Sequence, residues 1–228
     1  TKSDIPQALN LVKELAAYER APNEVAVTIE EMERDGFGEN PVFTFYVAEV
    51  ENKIVLLKNL ESQATSDPTV MDDLLKALEN LKKQEADVPE IWLAGGDIYF
   101  SLKLLREARD HYSKAIQLGA KAYQAWSNLA ILDAQLNLND SLISVTEKGF
   151  ELFPNSAELW YFNGYGWFQK KKYNNACTSL EQAKSLATDK NLTTEINRLL
   201  GEGYQSTGKF EASEKCFEAV LLSDTHHE

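Results

Sequence analysis

Hydrophobic residues over most of the chain recur with the three- to four-residue spacing of amphipathic helices, and from Pro89 onward the helices themselves recur every 34 residues. With Pro89 as position 1, tryptophan falls at position 4 in three successive repeats. Small residues recur at positions 8, 20 and 27, and aromatic residues recur at positions 11 and 24. Such helix pairs bury their apolar faces only by stacking on neighbouring pairs. The spacing predicts repeats near residues 89–122, 123–156, 157–193 and 194–228.

The fourth repeat starts three residues late, and the polar stretch 188–191 is predicted to absorb this delay. Residues 55–88 form one earlier and weaker period, with Lys58 at the position that tryptophan occupies later. Its second half has leucine at the positions of a buried helix face, namely Leu74, Leu78 and Leu81. We predict a degenerate repeat or a capping helix pair here, with Asp67 as the helix cap and Pro68 as its first residue.

This signature of large, small and aromatic positions resembles that of the tetratricopeptide repeat family. The resemblance extends over residues 55–228 and is most specific from residue 89 onward. It implies a mainly α fold, an α-solenoid of about four helix pairs plus a degenerate first unit, preceded by a small α/β fragment. The implied function is that of a protein–protein interaction scaffold, which binds a peptide or helix of a partner protein on the concave face of the solenoid.

The first 55 residues follow a different pattern. Apolar residues such as Ile5 and Leu9 predict one helix, and residues 28–34 predict a second helix that starts with a capping box. Residues 42–50 are rich in β-branched and aromatic residues, which indicates a strand. A tight turn is expected at 51–53, before residues 54 and 55 continue the extended chain.

Three segments of this region, residues 11–19, 35–39 and 46–50, resemble the opening of the GNAT acetyltransferase fold, closest to its diamine (spermidine/spermine) branch. The resemblance implies two helices and a strand, with Tyr18 and Glu19 beside the cleft for the amine acceptor. In that family a later strand leads into an acetyl-CoA loop of the form R/Q-x-x-G-x-G/A, whose amides hold the pyrophosphate.

One literal match to that loop exists, from Arg198 to Gly203, but no strand precedes it and the repeat spacing predicts a helix there. We therefore assign its glycines to helix packing. The predicted domains are a GNAT-like N-terminal fragment at 1–55 and a repeat domain at 56–228. Two origins of the fragment stay open: a gene-fusion remnant, or a stretch that is missing between Val55 and Leu56.

The charge of the chain narrows the classes of partner. The 228 residues hold 36 acidic and 23 basic side chains, a net charge of −13. Such a surface gains nothing from nucleic-acid phosphates or anionic lipids, so neither is expected as a partner. The two cysteines lack a metal-type spacing, which favours a reducing, cytoplasmic location, with a trimmed signal segment left open. No cofactor is predicted.

Candidate chemistry is sparse. His111 falls mid-helix at repeat position 23, on a face that is usually partly exposed, and no nucleophile–base pair or carboxylate pair stands out. A non-enzymatic role is therefore expected. The alternative is a GNAT-type N-acetyltransferase that acts on a small amine, with the repeats as an accessory module.

In the tetratricopeptide repeat family, positions 2, 5, 6, 9, 12 and 13 of the first helix line the groove. The resemblance therefore assigns a partner-binding groove to Asn128, Ile131, Gln135, Glu158, Tyr161, Tyr165, Phe168, Arg198 and Glu202. Only Asn128 matches the Lys/Asn/Arg clamp of chaperone-binding members, and the acidic edges favour a basic partner. As an alternative, Tyr161 and Phe168 pack against the next repeat.

The last repeat is followed by no polar helix that would cover its apolar side. Phe217, Val220 and Leu221 are therefore expected to be exposed there, and self-association through this end is one possible consequence. Whether the natural chain continues past Glu228 is left open by the sequence.

Overall fold

The computed structural model describes residues 5–6, 8–10, 13, 28–37, 50–64 and 67–224. The chain divides into two compact units, residues 1–55 and residues 56–228. Wherever the described residues form regular secondary structure it is helical. The mainly α class predicted from the repeats is confirmed.

The first unit has a small apolar cluster of its own, in which Ile5, Leu9 and Met32 are buried. Helix α1, Ile29–Phe37, begins with the predicted capping box. The amide of Glu31 donates to Oγ1 of Thr28 over 3.2 Å, and the amide of Thr28 donates to Oε2 of Glu31 over 2.9 Å. The helix runs three residues beyond the predicted end at Arg34. Residues 42–49 of the predicted strand lie outside the described residues.

The predicted turn at 51–53 and the extended residues 54–55 are wrong, because helix α2 covers Val50–Ala64. Leu57 and Ala64 are buried seven residues apart, and the half-buried Ile54 and Leu60 lie on the same side. This is the period of a helix and not the period of two that a strand needs. The segment also contains no glycine or proline that would stop the helix.

Nine helices follow between residues 67 and 224. They are α3 Pro68–Gln84, α4 Pro89–Ser101, α5 Leu105–Gln117, α6 Tyr123–Gln135, α7 Asn139–Leu152, α8 Ala157–Gln169, α9 Tyr173–Leu186, α10 Lys190–Ser206 and α11 Phe210–Asp224. The predicted cap of α3 is confirmed, since Asp67 Oδ1 accepts from the Thr69 amide at 2.9 Å. Helix α10 starts inside the predicted polar connection 188–191, because Asp189 caps it through the Leu192 amide at 2.7 Å.

Each of the four repeats is a helix pair from α4 to α11, and position 8, where the two helices approach closely, is glycine in three repeats and Ala130 in the second. A Cβ added to Gly96 would lie 2.7 Å from the ring of Tyr112. A Cβ added to Gly201 would lie 2.7 Å from the ring of Phe217. In both repeats the aromatic ring of position 24 therefore occupies the space that any larger residue at position 8 would need.

The tryptophans of position 4 connect each repeat to the turn before it. The indole Nε1 of Trp126, which is 7% exposed, donates to the carbonyl of Ala120 over 3.3 Å. Trp92 and Trp160 donate in the same way to carbonyls six residues earlier, over 2.8 and 2.9 Å. In the fourth repeat, position 4 is Asn197. The 34-residue spacing of tryptophan thus reflects both core packing and a repeated hydrogen bond to the loop.

The turn inside each repeat places position 15 in the left-handed region. The φ angles are 59° at Lys103, 57° at Asn137, 58° at Lys171 and 77° at Gly208. A residue with a Cβ has a conformational cost there, and glycine does not. The sequence therefore has its most favourable residue at only one of these four turns.

We predict that Lys171→Gly is more stable to unfolding than Lys171→Ala by about 0.5–1 kcal/mol. The reason is that glycine removes a left-handed cost of about 1–2 kcal/mol but has the larger entropy in the unfolded chain, worth about 0.5–1 kcal/mol. Urea denaturation followed by circular dichroism measures the difference.

The exposed Gln182 inside α9, where the backbone is helical, is the matched control, and Gln182→Gly should lower the stability relative to Gln182→Ala. Equal stabilities of the two Lys171 variants would contradict the assigned backbone strain.

Candidate functional site

The first helices of the last three repeats form one continuous surface. Helix α8 contacts both α6 and α10, so side chains on the same side of these helices share a face of the solenoid. The residues predicted for the partner-binding groove all come from these three helices. We keep the name concave groove for this predicted surface.

The aromatic side chains of α8 have two roles. Tyr161, Tyr165 and Phe168 are half-buried and pack against the core of the last two repeats, which includes Leu199. The rings of Tyr161 and Tyr165 lie 6.4 Å apart between centroids. The packing against the next repeat that the sequence left as an alternative is therefore present, while part of each ring still faces solvent.

Tyr161 lies close to charged residues of the next first helix. Burial raises the pKa of Tyr161, and the carboxylate of Glu195 adds to this shift. The phenol therefore stays neutral across the physiological range and keeps its hydrogen-bond donor. The phenol can donate to an acceptor on a ligand, and the nearby carboxylate of Glu195 suits a cationic group.

Arg198 is held between two carboxylates of its own helix. Its Nη1 donates to Glu202 Oε1 over 2.6 Å and its Nε donates to Glu195 Oε2 over 3.0 Å. Partial burial disfavours the charged guanidinium, but the two carboxylates outweigh this and raise the pKa of Arg198. One cation among two anions leaves this part of the groove net negative.

Glu158 is fixed by neighbours from the preceding repeat. Its Oε2 accepts from the hydroxyl of Tyr123 over 2.6 Å and from Ser127 Oγ over 3.1 Å. Burial raises the pKa of Tyr123, and the hydrogen bond to Glu158 acts in the same direction. Beside Glu158 lies a cavity of about 560 Å³ that also contains Asp189 and apolar residues such as Phe153, with no lysine or arginine in its lining.

Asn128 is less available than the sequence suggested. Its Nδ2 donates to the hydroxyl of Tyr112 over 2.9 Å, and that hydroxyl donates to Asp97 Oδ1 over 2.7 Å. The amide is thus part of a network between the first and second repeats. Of the two amides expected to flank the tyrosines, only Gln135 is exposed, and Ile131, four residues before it, is half-buried.

Repeat spacing did not predict a buried ion pair. Asp133 is fully buried at position 11, where the other repeats have an aromatic residue, and Arg109 Nε donates to its Oδ1 over 2.6 Å. The Arg109 Nη2 also donates to Ser141 Oγ over 2.9 Å. The sequence did contain a signal for this ion pair, because a carboxylate occupies a repeat position that is aromatic in the other repeats. The pair connects the first two repeats and lies outside the concave groove assignment.

The expectation that His111 is partly exposed is wrong, since it is 8% exposed. Its ring lies 5.3 Å from that of Trp92 and 4.7 Å from that of Tyr99, and Nδ1 donates to the Glu107 carbonyl over 2.8 Å. Position 23 is covered here because the ring fits above Gly95, where no side chain competes for the space. Nε2 has no hydrogen-bond partner among the residues that the structure describes.

Other ligand classes find little support in the part of the chain that the structure describes. No group of three or more His, Cys, Asp or Glu side chains within it is placed to hold a metal ion. Cys177 and Cys216 are free and buried. None of the described helices is long and apolar enough to cross a membrane.

Comparison with known proteins identifies the fold. A family model described as tetratricopeptide repeat matches residues 89–119. The second unit of the chain has the fold of a tetratricopeptide-repeat solenoid. Among solved structures this solenoid is similar to YrrB, a tetratricopeptide-repeat protein with an unusual peptide-binding site, with a TM-score of 0.65 and 13% identity over 78% of this chain and 88% of that one. It is also similar to MamA from Desulfovibrio magneticus RS-1, with a TM-score of 0.63 and 15% identity over 77% of this chain and 97% of that one.

A second similarity accompanies the solenoid. The chain is 44% identical over 50 residues to the human spermidine/spermine N(1)-acetyltransferase-like protein 1, and 41% identical over 49 residues to thialysine N-epsilon-acetyltransferase of Sus scrofa. These matches span 22% of this chain, and 7% and 29% of the two relatives. The predicted resemblance to both families is confirmed, and the chain spans less than a third of the length of either acetyltransferase.

We predict that His111 makes the solenoid acid-sensitive. Burial lowers the pKa of its imidazole below the ordinary 6.5, although the Glu107 carbonyl opposes this. The unfolded chain therefore binds a proton near pH 6.5 that the folded chain does not, so stability is complete above that pH and is lost as the pH falls below it. The fall in unfolding free energy from pH 7.5 to pH 5.5 should be larger in the wild type than in His111→Gln.

His226 and His227 are present in both proteins, so the difference between the two curves isolates His111. Parallel curves would contradict the lowered pKa.

Proposed function

We propose that the solenoid is a protein-interaction scaffold whose concave groove binds a neutral or basic peptide or helix of a partner protein. The observation that carries the proposal is the half-buried Tyr161–Tyr165 pair beside carboxylates that are held in place, Glu158 on one side and Glu195 with Glu202 on the other.

The chemistry of a basic peptide fits this surface. The tyrosine rings offer apolar area at a small entropic cost, and their hydroxyl groups can bond a peptide backbone. Acidic residues at the groove positions outnumber basic ones. On the concave groove they are Glu158, Glu195 and Glu202, against the single Arg198. With a net charge of −13, the chain attracts a cationic partner and speeds its association.

The cavity beside Glu158 also suits a basic side chain of a peptide. Its apolar residues suit the aliphatic stem of a lysine or arginine, while Glu158 and Asp189 suit the charged end. A peptide that crosses the groove could therefore place one basic side chain there. The similarity to YrrB supports the proposal to the extent that the same fold holds a peptide-binding site in that protein.

The literal match to the acetyl-CoA loop is proposed to bind no cofactor in this chain. The stretch from Arg198 to Gly203 that matches the acetyl-CoA loop lies inside α10, so its amides are turned into the helix. Gly201 and Gly203 face Phe217 and Cys177, respectively, and their Cα atoms are covered by those side chains. A pyrophosphate has no exposed amides to bind at this motif.

We predict that peptides selected on the protein carry net positive charge and depend on the groove carboxylates. Twelve-residue peptides are selected from a random phage library, synthesised with a fluorescent label and measured by anisotropy. The double variant Glu158→Lys/Glu202→Lys should weaken their binding about tenfold or more, because both changes reverse charge at the groove.

Glu147→Lys on the exposed side of α7 is the matched control and should change the affinity less than about twofold. Selected peptides with net negative charge, or equal losses in the groove and control variants, would place the binding surface elsewhere.

We also predict that acetyl-CoA does not bind, since the loop-like motif is helical and its glycines are covered. Isothermal titration calorimetry at about 100 μM protein is expected to show no saturable heat. A micromolar affinity at one molecule per chain would disprove the assignment, and loss of that affinity in Arg198→Ala would locate the site at the motif.

A further inference from the structure

The last helix of the solenoid exposes an apolar stripe. Phe210 is 68% exposed and Leu221 is 65% exposed, and Phe217 lies between them on the same side of α11. Glu214 and Glu218 flank the stripe, and all five residues line one depression of about 480 Å³. We call these five residues the terminal face. Neither carboxylate has an ion-pair partner within residues 67–224.

The internal repeats show what covers this face elsewhere. In three successive interfaces, position 21 of a second helix contacts position 10 or 11 of the next first helix. The pairs are Arg109 with Asp133, Ile143 with Gly166, and Cys177 with Gly203. On the terminal face, position 21 is Glu214. A carboxylate replaces residues that are basic or uncharged in the earlier repeats.

Two further positions of the second helices also contact the first helix of the next repeat. Position 25 contacts position 11 of the next first helix, as Glu181 does when it accepts from the hydroxyl of Tyr204 over 2.6 Å. Position 28 contacts position 4, as Phe150 does when it stacks on Trp160 with 3.8 Å between centroids. On the terminal face these positions are Glu218 and Leu221.

From this correspondence we infer that the terminal face binds an amphipathic helix of a partner protein that carries an arginine seven residues after a large apolar residue. The apolar residue would contact Leu221, and the arginine would lie between Glu214 and Glu218, which are one helical turn apart. The arrangement is the charge inverse of the Arg109–Asp133 contact, with two carboxylates on the terminal face in place of one arginine.

Charge argues for a basic partner over a second copy of this chain. Two copies would each bring a net charge of −13 to the contact, whereas an arginine-bearing helix neutralises the terminal face. This surface lies on α11 and is separate from the concave groove on α6, α8 and α10. A negative result for one proposed site therefore does not count against the other.

The probe is a peptide with the sequence of residues 120–138, because α6 already has Trp126 at position 4 and Asp133 at position 11. Gln124→Lys and Asn128→Glu, on the groove side, allow a side-chain lactam bridge that holds the peptide helical, and circular dichroism verifies this. Three versions are compared, with Asp133 unchanged, Asp133→Asn and Asp133→Arg. Fluorescence anisotropy with the full chain should give about tenfold or tighter affinity for the arginine version than for the aspartate version.

Variants of the protein test whether the peptide binds at the terminal face. Leu221→Asp should abolish binding, and Leu104→Asp, another exposed leucine outside the terminal face, is the control and should leave it unchanged. The double variant Glu214→Lys/Glu218→Lys should reverse the preference and bind the aspartate version more tightly. Equal affinities for the three peptides, no binding of the arginine version at about 100 μM, or binding that survives Leu221→Asp would overturn the inference.

Sedimentation of the protein alone tests whether a second copy of this chain covers the terminal face in place of a partner helix. A strict monomer at about 100 μM is expected. A dimer that Leu221→Asp dissociates would mean that a second copy covers the terminal face, and would overturn the assignment to a basic partner helix.

Discussion

The solenoid depends on how closely the two helices of each repeat can approach. At Gly96 and Gly201 the neighbouring helix brings an aromatic ring to a distance that leaves no room for a Cβ. Once that approach is made, the ring fills the interior of the pair, and the remaining apolar residues face outward to the next repeat. Stacking then follows, because a pair that is only two helices thick cannot bury this second face by itself.

The same constraint explains why so much of the fold was predictable. Glycine recurs because it leaves room for a neighbouring side chain, and tryptophan and the other aromatic residues recur because each fills a particular space. Their 34-residue spacing is therefore visible without a structure. The boundary near residue 50 was not predictable in this way. Residues 42–50 have the composition of a strand, but the residues that follow bury Leu57 and Ala64 with a helical period, and local composition does not reveal which neighbours a segment will pack on.

The helices that carry the candidate residues were predictable, but the contacts of these residues were not. The repeat register placed Tyr161, Tyr165 and Glu158 on first helices, and the helices contact one another as the register requires. The hydrogen bonds were not accessible from spacing, since Asn128 is engaged by Tyr112 and Arg198 by two glutamates of its own helix. Buried polar groups such as Asp133 stand at positions where the register expects an apolar residue, and their partners are distant in sequence.

The replacement of tryptophan by Asn197 in the fourth repeat has a consequence for dynamics. In three repeats an indole donates a hydrogen bond to the loop before the repeat, and the fourth repeat lacks this bond. In a one-dimensional stack each repeat contacts only its neighbours, so one repeat can open while the others stay folded. Fraying of α10 and α11 would carry Arg198 and Glu202 away from the tyrosines of α8 while the first three repeats stay folded. One wall of the groove thus depends on a junction that lacks the indole hydrogen bond of the other three repeats.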